Sequence, residues 1–207
     1  MKFECNCIYC NRNTYLWKLK NDIVWVEIPR NGSSNLKEFR FKFNSLHTIE
    51  SQNQSELIKV DNIDKLTHKR AFVILRNPID RFKSLVSHYF IYGQRVHFGK
   101  QWLNNLGIHE FNNDTIVDIV LQNWDKIHTI PEVHHLNSQR SFIPDEFFEI
   151  NHMVYDVSEI GFMFGLNQKV NPSDSSNIQI SNENLEKIID IYKDDVELYK
   201  KYFNVSL

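Results

Sequence analysis

The stretch Ile28-Pro29-Arg30-Asn31-Gly32-Ser33-Ser34-Asn35-Leu36 decides how this chain is read. Before it runs Ile23-Val24-Trp25-Val26, a β-branched and aromatic segment with the character of a buried strand. After it, Leu36, Phe39 and Phe43 fall at helical spacing. A strand, a short polar loop with one glycine and then a helix aim backbone N–H groups at a phosphate or sulfate. Gly32 allows close approach of the backbone, Ser33, Ser34 and Asn35 add short-armed donors, and Arg30 brings a fixed positive charge. The Gly-x4-Gly-Lys-Ser/Thr pattern of a Walker loop is absent. A strand–turn–helix junction with no ligand is the plain alternative.

A second junction repeats this chemistry. Ala71-Phe72-Val73-Ile74-Leu75 reads as a buried strand and runs into Arg76-Asn77-Pro78. There Asn77 can cap a helix whose first residue is Pro78. Ile79, Phe82, Leu85, Val86, Tyr89 and Phe90 give that helix an apolar face. Arg76 at the strand end and Ser84 two turns into the helix can converge on one phosphate, the first as a guanidinium fork and the second as a hydroxyl donor. The alternative is an Arg76 salt bridge and a surface Ser84.

Around these junctions the chain alternates strands and helices. Residues 1–21 form a polar lead-in with Tyr15, Leu16 and Trp17 as anchors, and Ser45–Glu50 shows partial strand alternation. Residues 57–70 carry no clear signal, and 91–113 read as loop, punctuated by Gly93, Gly99 and Gly107. A helix is expected over 114–127, irregular chain over 128–151, a strand at Met153-Val154-Tyr155 and a loop over 171–177. The last helix, capped by Ser181 or Asn182, carries a stripe from Leu185 through Ile188, Ile189, Tyr192, Val196 and Tyr199 to Phe203. No internal repeat or second domain is visible. The expectation is one domain over residues 1–207, α/β in class, with a three-layer fold and a mainly parallel central sheet flanked by helices.

Composition narrows the partners. The 207 residues are 42% hydrophobic and 24% charged, with a formal net charge of −2, which disfavours a general nucleic-acid binder. No apolar run reaches the roughly 20 residues of a membrane span, so no membrane partner is expected. The opening Met1-Lys2-Phe3-Glu4-Cys5 has no signal-like apolar stretch. Of the glycosylation sequons at Asn31, Asn53, Asn113 and Asn204, the first lies inside the anion loop, where a glycan would block it. A cytoplasmic location is therefore expected. Cys5, Cys7 and Cys10 are three thiols without a nearby histidine, which reads as free thiols rather than a metal site.

Pro29-Arg30-Asn31-Gly32-Ser33-Ser34 resembles the 5′-phosphosulfate loop of sulfotransferases, and Arg76-Asn77-Pro78-Ile79-Asp80-Arg81-Phe82-Lys83-Ser84 is similar to their 3′-phosphate motif, Arg-x-Pro-x-x-Arg-x-x-Ser. The carbohydrate branch of that family is the nearest in pattern. His135-Leu136-Asn137-Ser138-Gln139 resembles its His-x-x-Pro-Gln stretch, with Ser138 in place of Pro. Val170-Asn171-Pro172-Ser173 resembles a loop near the cofactor, and Tyr192-Lys193-Asp194-Asp195 with Tyr199 resembles its Tyr-x-x-Asp helix ending.

The resemblance implies a P-loop-like sulfotransferase fold and 3′-phosphoadenosine 5′-phosphosulfate as sulfate donor, with no metal. It also implies a hydroxyl-bearing acceptor such as a carbohydrate. Arg30, Asn31, Gly32, Ser33, Ser34, Asn35, Arg76 and Ser84 would hold the donor, and Arg30, which stands where the family usually has Lys, would stabilise the leaving group. Among the nine histidines, His47 is the first choice of base, with Glu50, His88 and His135 as alternatives. A non-catalytic nucleotide- or glycan-binding protein and a small-molecule or nucleotide kinase are the competing readings.

Overall fold

The computed structural model describes residues 15–18, 23–28, 30–31, 57–58, 70–92, 95–127, 136–149, 152–159, 175 and 177–205. Among them are five strands: β1 Tyr15–Lys18, β2 Ile23–Glu27, β3 Leu57–Ile58, β4 Arg70–Leu75 and β5 His152–Asp156. They form one sheet in the order β3-β1-β2-β4-β5. β2, β4 and β5 run parallel, with Val24 opposite Ala71 and Ala71 opposite His152. β1 pairs antiparallel with β2, and β3 antiparallel with β1. The protein is thus α/β with a three-stranded parallel core and an antiparallel edge. The lead-in expected over 1–21 contains the strand β1, and the segment without a clear signal contains β3.

β2 and β4 are buried on both faces, as parallel strands usually are, whereas β5 is half-buried along its length. Val24, Val26, Ala71, Val73 and Leu75 point to one side, where they pack with Phe142, Phe147, Leu198 and Tyr199. Trp25 and Phe72 point to the other, also buried, with their rings stacked at 6.5 Å and Tyr155 edge-on to Phe72 at 6.1 Å.

After β4, helix α1 spans Pro78–Val86. Asn77 caps it as expected, its Oδ1 accepting from the N–H groups of Ile79 at 2.9 Å and Asp80 at 3.3 Å. α1 continues without a break into a π turn, Ser87–Ile91, closed by Tyr92 N–H donating to the Ser87 carbonyl at 2.9 Å. Helix α2, Val96–Asn105, lies in the segment that reads as loop. Gly99 explains its placement, because a Cβ there would stand 2.1 Å from the Tyr89 carbonyl oxygen. Only a glycine lets α2 seat this closely on the π turn.

Two short helices follow, α3 Ile116–Gln122 and α4 Trp124–Ile127, then the 3₁₀ turns Gln139–Phe142 and Asp145–Glu149. The C-terminal helix is split into α5 Asn182–Ile191 and α6 Lys193–Phe203, with Ser181 Oγ accepting from Asn184 N–H at 3.2 Å. Phe82, Leu85, Val86, Tyr89 and Phe90 form a helical core with Trp102, Leu103, Val117, Val120, Ile188 and Tyr192. Tyr192 thus belongs to the helical core, whereas Leu198 and Tyr199 belong to the sheet. The last two helices tie the cores together. No helix among the described residues is long and apolar enough to cross a membrane.

Candidate anion site at the strand ends

β2 and β4 end side by side, and each delivers an arginine. Asn31 N–H donates to the Ile28 carbonyl at 3.2 Å, closing a tight turn in which Arg30 has a φ of 70°. That left-handed conformation is one a turn normally gives to glycine, and holding a long cationic side chain in it costs on the order of 1 kcal/mol. From there Arg30 Nη2 reaches Ser84 Oγ at 3.4 Å, and Arg76 Nη1 donates to the Arg30 carbonyl at 3.5 Å. The structure therefore gathers Arg30, Arg76 and Ser84 into one cluster, rather than leaving Ser84 to Arg76 alone.

The cluster is strongly cationic. Burial, then repulsion from Arg76, Arg81 and Arg95, lowers the pKa of the Arg30 guanidinium, with Tyr89 acting in the opposite direction. No carboxylate among the described residues acts on Arg30. Burial also lowers Arg76, which Asp80 and Asp156 partly compensate against Arg81. His88, one turn beyond Ser84, is pushed down to about 4, first by burial and then by Arg30 and Arg95. Its imidazole is neutral at pH 7 and sits within the field of the cluster. Burial raises the Tyr89 phenol, a shift opposed by Arg95, whose Nη1 donates to Tyr89 Oη at 3.4 Å. Arg30 Nε is buried with no hydrogen-bond partner among the described residues.

Behind the cations lies a neutral scaffold of amides. Asn31 Nδ2 donates to the Ile74 carbonyl at 2.9 Å and to Gln139 Oε1 at 2.7 Å. Gln139 Nε2 donates to the Arg76 carbonyl at 2.8 Å, and Gln139 Oε1 also accepts from Arg76 N–H at 3.2 Å. One Asn31 amide bond thus ties the two strand ends directly and the other ties them through Gln139, a structural duty that its expected role toward a ligand did not include. The 3₁₀ turn carrying Gln139 is in turn held by Asp195 of α6, which accepts from Gln139 N–H and Arg140 N–H, both at 2.8 Å, and from Ser138 Oγ at 2.5 Å.

Arg81 is buried beneath the cluster, with Nη1 donating to the Asn137 carbonyl at 2.8 Å. Burial raises the Asp195 carboxyl, and Arg81 is the leading influence holding it down. A buried charge needs such a partner. Gly32, Ser33, Ser34, Asn35, His47, Glu50 and His135 lie outside the described residues, as do Cys5, Cys7, Cys10, the helix expected over 36–43, the strand expected over 45–50 and Val170–Ser173.

Fold and site together define an α/β protein with a cluster of arginines at the carboxyl ends of parallel strands, the place where open α/β sheets take their ligands. No family model, no curated protein and no solved structure matches the chain.

Proposed function

We propose that this protein is a sulfotransferase of P-loop-like, three-layer fold. It would move a sulfuryl group from 3′-phosphoadenosine 5′-phosphosulfate to an acceptor hydroxyl on a carbohydrate. One observation carries the reading: Arg30 and Arg76 are brought together at adjacent strand ends with Ser84, and no described carboxylate acts on Arg30. Two desolvated guanidinium groups repel each other, so the arrangement becomes favourable when an anion stands between them. The sequence pattern supplies the identity of that anion, through its likeness to the two phosphate motifs of sulfotransferases.

Arg76 and Ser84 suit phosphate oxygens, as a fork and as a hydroxyl donor. Arg30 suits the oxygen that accumulates negative charge as the S–O bond to the donor phosphate breaks. The new S–O bond forms to the acceptor oxygen, whose proton passes to a base, for which His47 is the first choice and His88 the second.

The test measures binding first and transfer second. 3′-Phosphoadenosine 5′-phosphate should raise the melting temperature well beyond the effect of AMP or ATP. Arg76→Ala should weaken that binding by at least tenfold and Ser84→Ala by up to tenfold. Radiolabelled sulfate should then pass from donor to a saccharide acceptor. Equal stabilisation by ATP would favour a kinase, and tight binding without transfer would favour a non-catalytic nucleotide-binding protein.

A further inference from the structure

A concave site lies beside the π turn. Phe90 of the π turn, Lys100 and Asn104 of α2 and the segment His109–Phe111 line a cavity of about 530 Å³, inside the range of roughly 300–1,000 Å³ typical of small-molecule sites. Gly99 fixes its walls, since α2 rests directly on the Tyr89 carbonyl and Phe90 ring. The cavity is therefore framed by two elements in tight contact.

Its chemistry differs from that of the arginine cluster. Lys100 and Glu110 contribute one charge of each sign, so no net charge selects an ion. His109 Nδ1 and Asn104 Oδ1 pair at 3.2 Å, which leaves the Asn104 amide hydrogens and the second His109 nitrogen for a ligand. Lys100, Asn104, His109 and Glu110 supply donors and acceptors beside the half-buried Phe111, which adds apolar surface. A hydroxyl both donates and accepts, and a pyranose ring offers several hydroxyls beside an apolar face. This mixture matches such a ligand better than it matches a phosphate or a purely apolar one.

Position links the cavity to the cluster. α2 is preceded by Arg95, whose charge acts on both Arg30 and His88. Lys100 and Asn104 lie five and nine residues further on, or roughly 7.5 and 13.5 Å along the helix axis. We infer that this groove binds an uncharged saccharide and is the acceptor subsite for the transfer reaction. The acceptor role rests on the sulfotransferase reading, whereas saccharide binding does not.

The experiment titrates the full ¹⁵N-labelled chain with lactose, maltose and N,N′-diacetylchitobiose at millimolar concentration, and separately with 3′-phosphoadenosine 5′-phosphate. At least one saccharide should shift the amide signals of Asn104, Glu110 and Phe111 in a saturable way. Asn104→Ala and Glu110→Gln, both at exposed positions, should weaken that binding about tenfold, as loss of one hydrogen bond does. Nucleotide binding should not change in either variant. The inference is overturned if none of the three sugars moves those signals, if both variants bind like wild type, or if a sulfated disaccharide outcompetes the neutral ones. Saccharide binding without nucleotide binding would uphold the groove and sink the sulfotransferase reading, and the converse result would sink the groove alone.

Discussion

Replacing Arg30 with Met keeps the side-chain stem and removes the charge, and the resulting stability change should reverse sign when an anion is added. Arg76 Nη1 lies 3.5 Å from the Arg30 carbonyl, and Arg76 is the leading charge acting against the Arg30 guanidinium; a separation on the order of 7 Å is taken for the two charges. At an effective dielectric of about 20, two like charges at that distance repel by about 2 kcal/mol. Against this stands one long hydrogen bond, Arg30 Nη2 to Ser84 Oγ at 3.4 Å, whose loss costs about 1 kcal/mol. Arg30→Met should therefore be more stable than wild type by about 1 kcal/mol in anion-free buffer, a rise of roughly 2–4 °C for a chain of this size. High salt should shrink the gap by screening the repulsion. With 3′-phosphoadenosine 5′-phosphate at a hundred times its dissociation constant, wild type should gain about 2.7 kcal/mol and overtake the variant. Calorimetric melting of both proteins, with and without nucleotide and at two ionic strengths, measures every term. A variant less stable than wild type in anion-free buffer would make Arg30 a structural residue and refute the reasoning.

Asp195→Ala strips the buried Arg81 of a buried countercharge and leaves the Gln139 N–H without its acceptor and the Arg140 N–H with only Ser138 Oγ; urea denaturation should show a loss of about 3–5 kcal/mol. Gly99→Ala puts a methyl 2.1 Å from the Tyr89 carbonyl oxygen and 2.7 Å from Phe90 Cδ1, so the helix-propensity gain should be outweighed and the protein destabilised by about 1–3 kcal/mol. His88 titrates near 4 in the folded protein and near about 6.5 when unfolded, so the unfolded chain binds more protons in between. Its contribution to stability is complete above the unfolded value and declines as pH falls toward 4. Denaturation series from pH 7 to pH 4 should show a shallower decline in His88→Gln, and an NMR titration of the wild-type ring should place its midpoint near 4.

The three parallel strands were legible because each has a run of β-branched, aromatic or other apolar residues at its centre, and the structure extends them by only a residue or so at the ends. Asn77-Pro78 marked the start of α1 for equally local reasons. β1 and β3 were not legible, since strands of four and two residues are defined by what they pair with rather than by their own pattern. α2 was hidden by Gly99, which reads as a breaker although it serves helix packing. The π turn has no local signature, and the apolar stripe of the last helix runs straight through the break at Tyr192. In the site, Arg30, Arg76 and Ser84 could be singled out from their places at strand ends and on the following helix. The convergence of Arg81 and Arg95 on Arg30, and the bracing of Gln139 by Asp195, could not. These pairings join residues tens of positions apart, and only the folded chain brings them together.

Asp195 also sets a clock on the molecule's birth. It stabilises the turn whose Gln139 clasps Asn31 and Arg76, so the clasp that begins at Asn31 is braced by a residue made 164 positions later. At the usual pace of about 5–20 residues per second, a ribosome needs roughly 8–33 s to travel between the two. During that interval the nascent chain carries its arginines without the clasp, and their mutual repulsion works against early closure of the strand ends. Closure of the strand ends is thereby deferred until α6 has emerged and docked.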